Sequence, residues 1–233
     1  LRRLFVVLLL LAFPQIAFAQ ESAPLDPAPA QAAVGLDPGH SVADVGAVGG
    51  GLAEYEVTLD IANRVRAILE ENGLSVAMSR HDDQPLTDFS APDPTDAIRI
   101  EQEARIAAVG GARLYVSIHL NGFPAPSVRG MEVYFNSENH GEESQALAGS
   151  IHDALLEEVE AAGYRLSDRG TREDLSAGKP YGHFFSLRGP APSVLVESMF
   201  LTNPGDAAAI ADEGIRDAVA RGIARGILAQ PRP

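Results

Sequence analysis

The sequence predicts an α/β fold: a single domain with a twisted, mostly parallel or mixed sheet and helices on both faces. Three observations predict it. Short apolar runs alternate along the chain with stretches of helical periodicity, the pattern of a layered α/β architecture. Turn dipeptides such as Pro38-Gly39, Asn72-Gly73 and Asn121-Gly122 close these runs. About 200 residues remain once the N-terminal stretch is set aside, enough for one sizeable core.

The elements follow in order. Residues 33–36 are a first short strand that runs into Pro38-Gly39, a turn that presents His40 at the strand's mouth. Residues 54–71 carry an amphipathic helix closed by Asn72-Gly73, and 74–78 form the next strand. Asp93 is placed to cap a helix with Pro94 at its first position, running to Gly110-Gly111. Residues 113–119 and 130–135 are buried strands, 143–162 a long helix and 193–197 a late central strand. From Asp206 onward the pattern is helical to the end. No internal repeat is present.

Ahead of this domain, Arg2 and Arg3 precede the ten-residue apolar run "LFVVLLLLAF", followed by "AFA" ending at Ala19. A basic start, an apolar centre and a small-residue cleavage site read as a secretory signal peptide over residues 1–19. The run falls well short of the roughly 20 residues that span a bilayer, so no membrane span is expected after cleavage. Residues 20–32, rich in Pro and Ala, read as a flexible linker, and the folded domain is expected over 33–230.

The chain of 233 residues has a formal charge of −14. Loss of residues 1–19 removes two arginines and no acids, which takes −14 to −16. That balance excludes a nucleic-acid partner, whose phosphates need Lys and Arg, and no polybasic patch exists for anionic lipid. Lys179 is the only lysine, and there is no cysteine. Disulfides, thiolate metal sites and thiol nucleophiles are therefore excluded, and a bound metal must use His, Asp or Glu.

Four residues stand out on this scaffold: His40 after the first strand, His119 in "SIHLNG", Glu197 in "VLVES", and Glu54. Singly, each has an ordinary reading: a surface histidine, a satisfied core histidine, a carboxylate capping a neighbouring helix. Three at three strand ends suggest a site at the carboxyl edge of the sheet. Glu54, Val57, Ile61, Val65 and Ile68 fall on one helical face. Glu54 thus heads the stripe that faces the sheet, whereas Glu56 points away. A carboxylate on a buried face needs a positive partner; the helix dipole offers about 1 kcal/mol and a divalent metal far more. Two imidazoles and a carboxylate with an open fourth position form a catalytic zinc set, although the wide gaps between them carry no spacing signature.

The blocks "GLDPGHSVADVGAVG", "GLAEYEVTLDIANRV", "YVSIHLNG", "RGMEVYF" and "APSVLVESMFLTNPGD" together resemble the zinc-dependent N-acetylmuramoyl-L-alanine amidases of the third amidase family. They occur in the family's order from about Val34 to Asp206. The resemblance implies zinc on His40, Glu54 and His119, a catalytic role for Glu197, and hydrolysis of the amide between N-acetylmuramic acid and L-alanine in peptidoglycan. Zinc would polarise the lactyl carbonyl and activate water, with Glu197 as general base and then acid. Ser41-Val42 stands where the family usually has Gly-Gly, and residues 172–189 are longer than the family's usual connection. In that segment Lys179, His183 and Arg188 are candidate substrate contacts, Lys179 also reading as simply solvated. Arg188 is carried forward, as is Asn121, which could orient His119 or hold substrate. The signal peptide and the acidic, cysteine-free chain predict an exported, periplasmic protein, expected as a monomer, and the resemblance implies a role in wall remodelling or daughter-cell separation. No inhibitory helix follows the "EVYF" strand, so no protein activator is expected. A zinc peptidase or carboxypeptidase on another amide, and a silent wall-binding module, are the rival readings.

Overall fold

The structure, a computed structural model, describes residues 32–231. The expected signal peptide (1–19) and the expected linker (20–32), except its last residue, lie outside the described residues.

β1 (Val34–Pro38) is followed by a two-residue-a-side hairpin of β2 (Val48–Gly49) and β3 (Leu52–Ala53), then by α1 (Glu54–Glu71). β4 (Val76–Met78), α2 (Pro94–Ala108), β5 (Leu114–Asn121), β6 (Met131–Phe135) and α3 (Gly141–Ala161) come next. β7 (Asp168–Glu173), β8 (Ser193–Phe200), α4 (Pro204–Ile210) and α5 (Glu213–Leu228) complete the order. The six-stranded sheet runs β4-β1-β5-β8-β6-β7. β4, β1, β5 and β8 are parallel; β6 lies antiparallel to β8, and β7 parallel to β6. The sheet is therefore mixed but mostly parallel.

Strand periodicity divides the sheet into two unlike faces. Val34, Leu36, Val116, Ile118, Val194 and Val196 point into the main apolar core beneath α1, α3 and α5. There α5 approaches α3 closely. A Cβ on Gly222 or Gly226 would lie 2.6 or 2.4 Å from the Cα of Leu155 or Ile151. The opposite face carries α2, with a small cluster of Val109, Ala112 and Tyr115, and it is the polar face. Asp37 and Ser117 are buried on it.

Four details differ from the sequence reading. β5 and β8 do not end at His119 and Glu197; they pair in register there and continue to the Asn121–Phe200 pair. The C-terminal helix is two helices, because Asp212 starts a second one by accepting the Ile215 N–H. β7 and the β2–β3 hairpin were not expected. β7, reading "DRGTRE", has no apolar residue to reveal it. On α1, Leu69 rather than Ile68 completes the buried stripe, which also takes in Thr58 and Ala62. α2 matches its expected start, with Asp93 accepting the N–H groups of Thr95 and Asp96.

Candidate metal centre

Glu54 opens α1 and is 2 % exposed. Its position turns the carboxylate into the fold rather than onto its own helix. Oε2 accepts the Ala47 N–H at 2.7 Å, and Oε1 accepts the Leu120 N–H at 2.9 Å. Oε1 also lies 3.0 Å from His119 Nδ1 and 3.4 Å from His40 Nε2. One donor atom from each of His40, Glu54 and His119 falls within 4.8 Å of the others. Burial alone would raise the Glu54 pKa, but the hydrogen bonds and charges of His119 and His40 hold it well below the usual carboxylate range. Glu56, by contrast, is exposed.

The backbone around the two imidazoles is shaped for them. His40 adopts a left-handed conformation, φ 62°, uncommon for a residue with a side chain. Fully buried Arg105 holds it there, donating to the His40 carbonyl at 2.7 Å and to the Pro38 carbonyl at 2.6 Å. Arg80 donates to the Gly39 carbonyl at 3.0 Å. Asp37 anchors Arg105 at 3.2 Å and accepts from Ser79 and Ser117 at 2.6 and 2.8 Å. Burial pushes the Asp37 carboxyl up, but the Arg105 charge and those hydrogen bonds outweigh it and bring it to about 2. Gly39 lies flat against the other ring: a Cβ there would be 2.3 Å from His119 Cε1. The rings meet edge-on, with centroids 4.9 Å apart.

Asp44 lies 2.9 Å from His40 Nδ1, which leaves Nε2 for the centre. Burial pulls His40 down in pKa, but hydrogen bonds to Asp44 and Glu54 push it up to about 10. His40, Glu54 and His119 thus present two nitrogens and a carboxylate oxygen, and that donor set fits zinc.

Glu197, opposite His119 in the β5–β8 ladder, lines the same cavity of about 240 Å³ with His40, His119, Gln102, Lys179 and Phe184. Its Oε2 is buried without a hydrogen-bond partner among the described residues. Burial, then the negative charge of Glu54, pushes its pKa well above the carboxylate range. A buried carboxyl with an unpartnered oxygen facing the cavity is suited to proton transfer.

The two expected substrate contacts fall elsewhere. Asn121 donates to Glu132 Oε1 at 2.7 Å instead of to His119. Arg188 is exposed, lies over the Phe185 ring and donates to the carbonyls of Tyr181 and His183; it bends back on its own loop and does not line the cavity. Residues 172–189 do form one wall, through Lys179, Tyr181 and Phe184. His183 is used inside that segment, 2.6 Å from buried Asp174. Sequence reasoning missed the parts played by Asp44, Asp37 and Arg105. Asp44 leaves a faint signal, a carboxylate four residues after His40.

The family described as N-acetylmuramoyl-L-alanine amidase matches over residues 34–229. The chain is 34% identical over 199 residues to the germination-specific N-acetylmuramoyl-L-alanine amidase of Bacillus subtilis (strain 168), covering 83% of this chain and 77% of that one. It is 32% identical over 229 residues to the N-acetylmuramoyl-L-alanine amidase AmiA of Escherichia coli (strain K12), covering 83% and 74%. Among solved structures it resembles the N-acetylmuramoyl-L-alanine amidase AmiC2 of Nostoc punctiforme, with TM-score 0.62, 32% identity, and 84% and 94% of the two chains covered.

Proposed function

The chain belongs to the N-acetylmuramoyl-L-alanine amidase family and is a peptidoglycan amidase; from that premise we propose that it works as a zinc hydrolase. His40, Glu54 and His119 hold the metal, and Glu197 moves the proton. The observation that carries this reading is the convergence of those three donor atoms within 4.8 Å around a buried carboxylate. Bound zinc supplies a Lewis acid that polarises the amide carbonyl and makes water acidic enough to attack near neutral pH. Glu197, near the ligands and with an oxygen that has no hydrogen-bond partner among the described residues, accepts the water proton and returns it to the departing alanine amine. Asp44 fixes the His40 ring so that Nε2 faces the centre. Lys179 and Phe184 close one side of the cavity against solvent.

We further place residues 1–19 as a signal peptide that exports the enzyme to the periplasm, residues 20–32 as a linker, and 33–230 as the catalytic domain, a monomer. No helix among the described residues is long and apolar enough to cross a membrane. Mass spectrometry of peptidoglycan digested by the zinc-loaded protein tests the activity: intact stem peptides starting with a free L-alanine amine are expected. Fragments cut within the peptide would assign the site to a peptidase, and unchanged glycopeptide to a silent binding module.

A further inference from the structure

We propose that Arg169 and Arg172, presented on β7 and bonded to the Glu132 that faces Glu197, form a subsite for a free carboxylate on the peptide arm of the substrate. The proposal rests on the amidase reading above and specifies the substrate within it.

The argument starts from a buried charge. Glu132 is 2 % exposed and sits directly opposite Glu197 in the β6–β8 ladder. Its Oε1 accepts from Asn121 at 2.7 Å, and its Oε2 accepts from Arg169 Nε at 3.1 Å and from Arg172 Nη1 at 3.0 Å. Each guanidinium spends one N–H there. The Arg169 amino groups and the Nε and second amino group of Arg172 have no protein partner among the described residues. Both side chains remain about a third exposed, 32% and 36%. Two positive charges thus meet one buried negative charge, which leaves a surplus positive charge in a strongly acidic chain.

The pair is also held in place. Glu132 fixes both forks, and the Arg169 guanidinium lies over the Phe200 ring at 5.0 Å from its centroid. Anchored guanidinium groups with open N–H donors suit a carboxylate, which can accept two parallel hydrogen bonds. Their place in the sheet says which carboxylate. His119 pairs with Glu197 and Glu197 with Glu132, whose Oε2 both arginines bond, so a polar row leads from the metal ligands to the arginines. β8 and β7 are two strand spacings apart, about 10 Å. One or two peptide residues, at about 3.5 Å each, together with an arginine side chain, span that gap. In a stem peptide the residue after L-alanine is a D-glutamyl unit whose chain continues through its γ-carboxyl. Its α-carboxyl is left as a branch, free in some walls and amidated in others.

The test uses two soluble N-acetylmuramoyl-L-alanyl-D-glutamate substrates, each with the γ-carboxyl capped as the methylamide. One keeps a free α-carboxyl and the other carries the carboxamide. The zinc-loaded wild type is expected to favour the free acid by about tenfold or more in kcat/KM, mainly through KM. Arg172→Gln should bring the ratio to within about twofold of unity, and Arg172→Lys should retain part of it. Arg169→Gln reads the same ratio should Arg172→Gln not fold. A wild type indifferent to the amide overturns the proposal, as does an Arg172→Gln enzyme that loses rate equally on both substrates. The second result would make the arginines a clamp on the edge strand only. If neither substrate is cut while intact peptidoglycan is, the recognised feature is not this carboxylate. If nothing is cut at all, the amidase reading itself fails.

Discussion

Glu54 and His119, 65 residues apart in the chain, meet at a single oxygen: His119 Nδ1 stands 3.0 Å from Glu54 Oε1, which also accepts the N–H of Leu120. The carboxylate is thus locked to the backbone beside the ring it would share a metal with. One zinc per protein is expected by elemental analysis. Substituting alanine for His40, Glu54 or His119 should strip it, and Glu56→Ala should not. Metal lost from Glu56→Ala but kept by Glu54→Ala would mean that the wrong face of α1 has been assigned.

Glu197 lines the cavity but is not one of the three converging donors. Glu197→Gln should therefore keep stoichiometric zinc while kcat falls by about a thousandfold, within the range for loss of a general base. A loss of only a few-fold would remove Glu197 from that role.

Gly39 has no room for a methyl group, since its Cβ would fall 2.3 Å from His119 Cε1. Gly39→Ala should turn the His119 ring aside and weaken zinc binding by about tenfold or more, on the scale of losing a ligand-orienting contact. Competition with a chromogenic chelator measures it. An unchanged affinity would show that the turn can move back without disturbing the ring.

Asp37 is a buried acid with a folded pKa of about 2, below its ordinary 3.8. Its ionised form stabilises the fold fully above about pH 4, and the contribution is lost as pH falls toward 2. Asp37→Asn leaves buried Arg105 with Glu101 as its remaining carboxylate partner and should cost about 1–3 kcal/mol near neutral pH. Urea melts of both proteins should converge as pH drops from 4 to 2. A gap independent of pH would mean that the Asp37 charge is not the source of the stability.

Only residues 136–140 separate β6 from α3, with no helix inserted there. The isolated domain should therefore hydrolyse purified sacculi without an activating protein. Deleting residues 174–179, which removes Lys179 from the cavity wall, should lower turnover. A latent wild type released by that deletion would show the segment to be a lid.

Much of this was legible in the sequence where periodicity or turn chemistry reports burial. α1 was placed at its observed bounds because an apolar stripe ends in Asn72-Gly73, and Glu54 was chosen over Glu56 by the same stripe. β7 was invisible because "DRGTRE" contains no apolar side chain to set a pattern, and the hairpin because two residues make no pattern. The long-range buried ion pairs were invisible for another reason. Arg105 lies 68 residues from Asp37, and Arg172 lies 40 from Glu132; such partners are joined by the fold and leave no spacing to read. Asn121 was chosen as the neighbour of a ligand in sequence and Arg188 as part of the long 172–189 segment, and each side chain is engaged with other parts of the fold.

The left-handed backbone at His40 also bears on how this gene could decay. A copy released from selection for catalysis would still have to fold, and folding keeps Arg105 gripping the carbonyl at position 40. Most replacements there carry the left-handed penalty of roughly 1–2 kcal/mol, whereas Gly escapes it and Asn or Asp bears less of it. Inactive descendants of this sequence should therefore drift at position 40 toward those three residues. Glu197, on an ordinary strand, has no such backbone restriction.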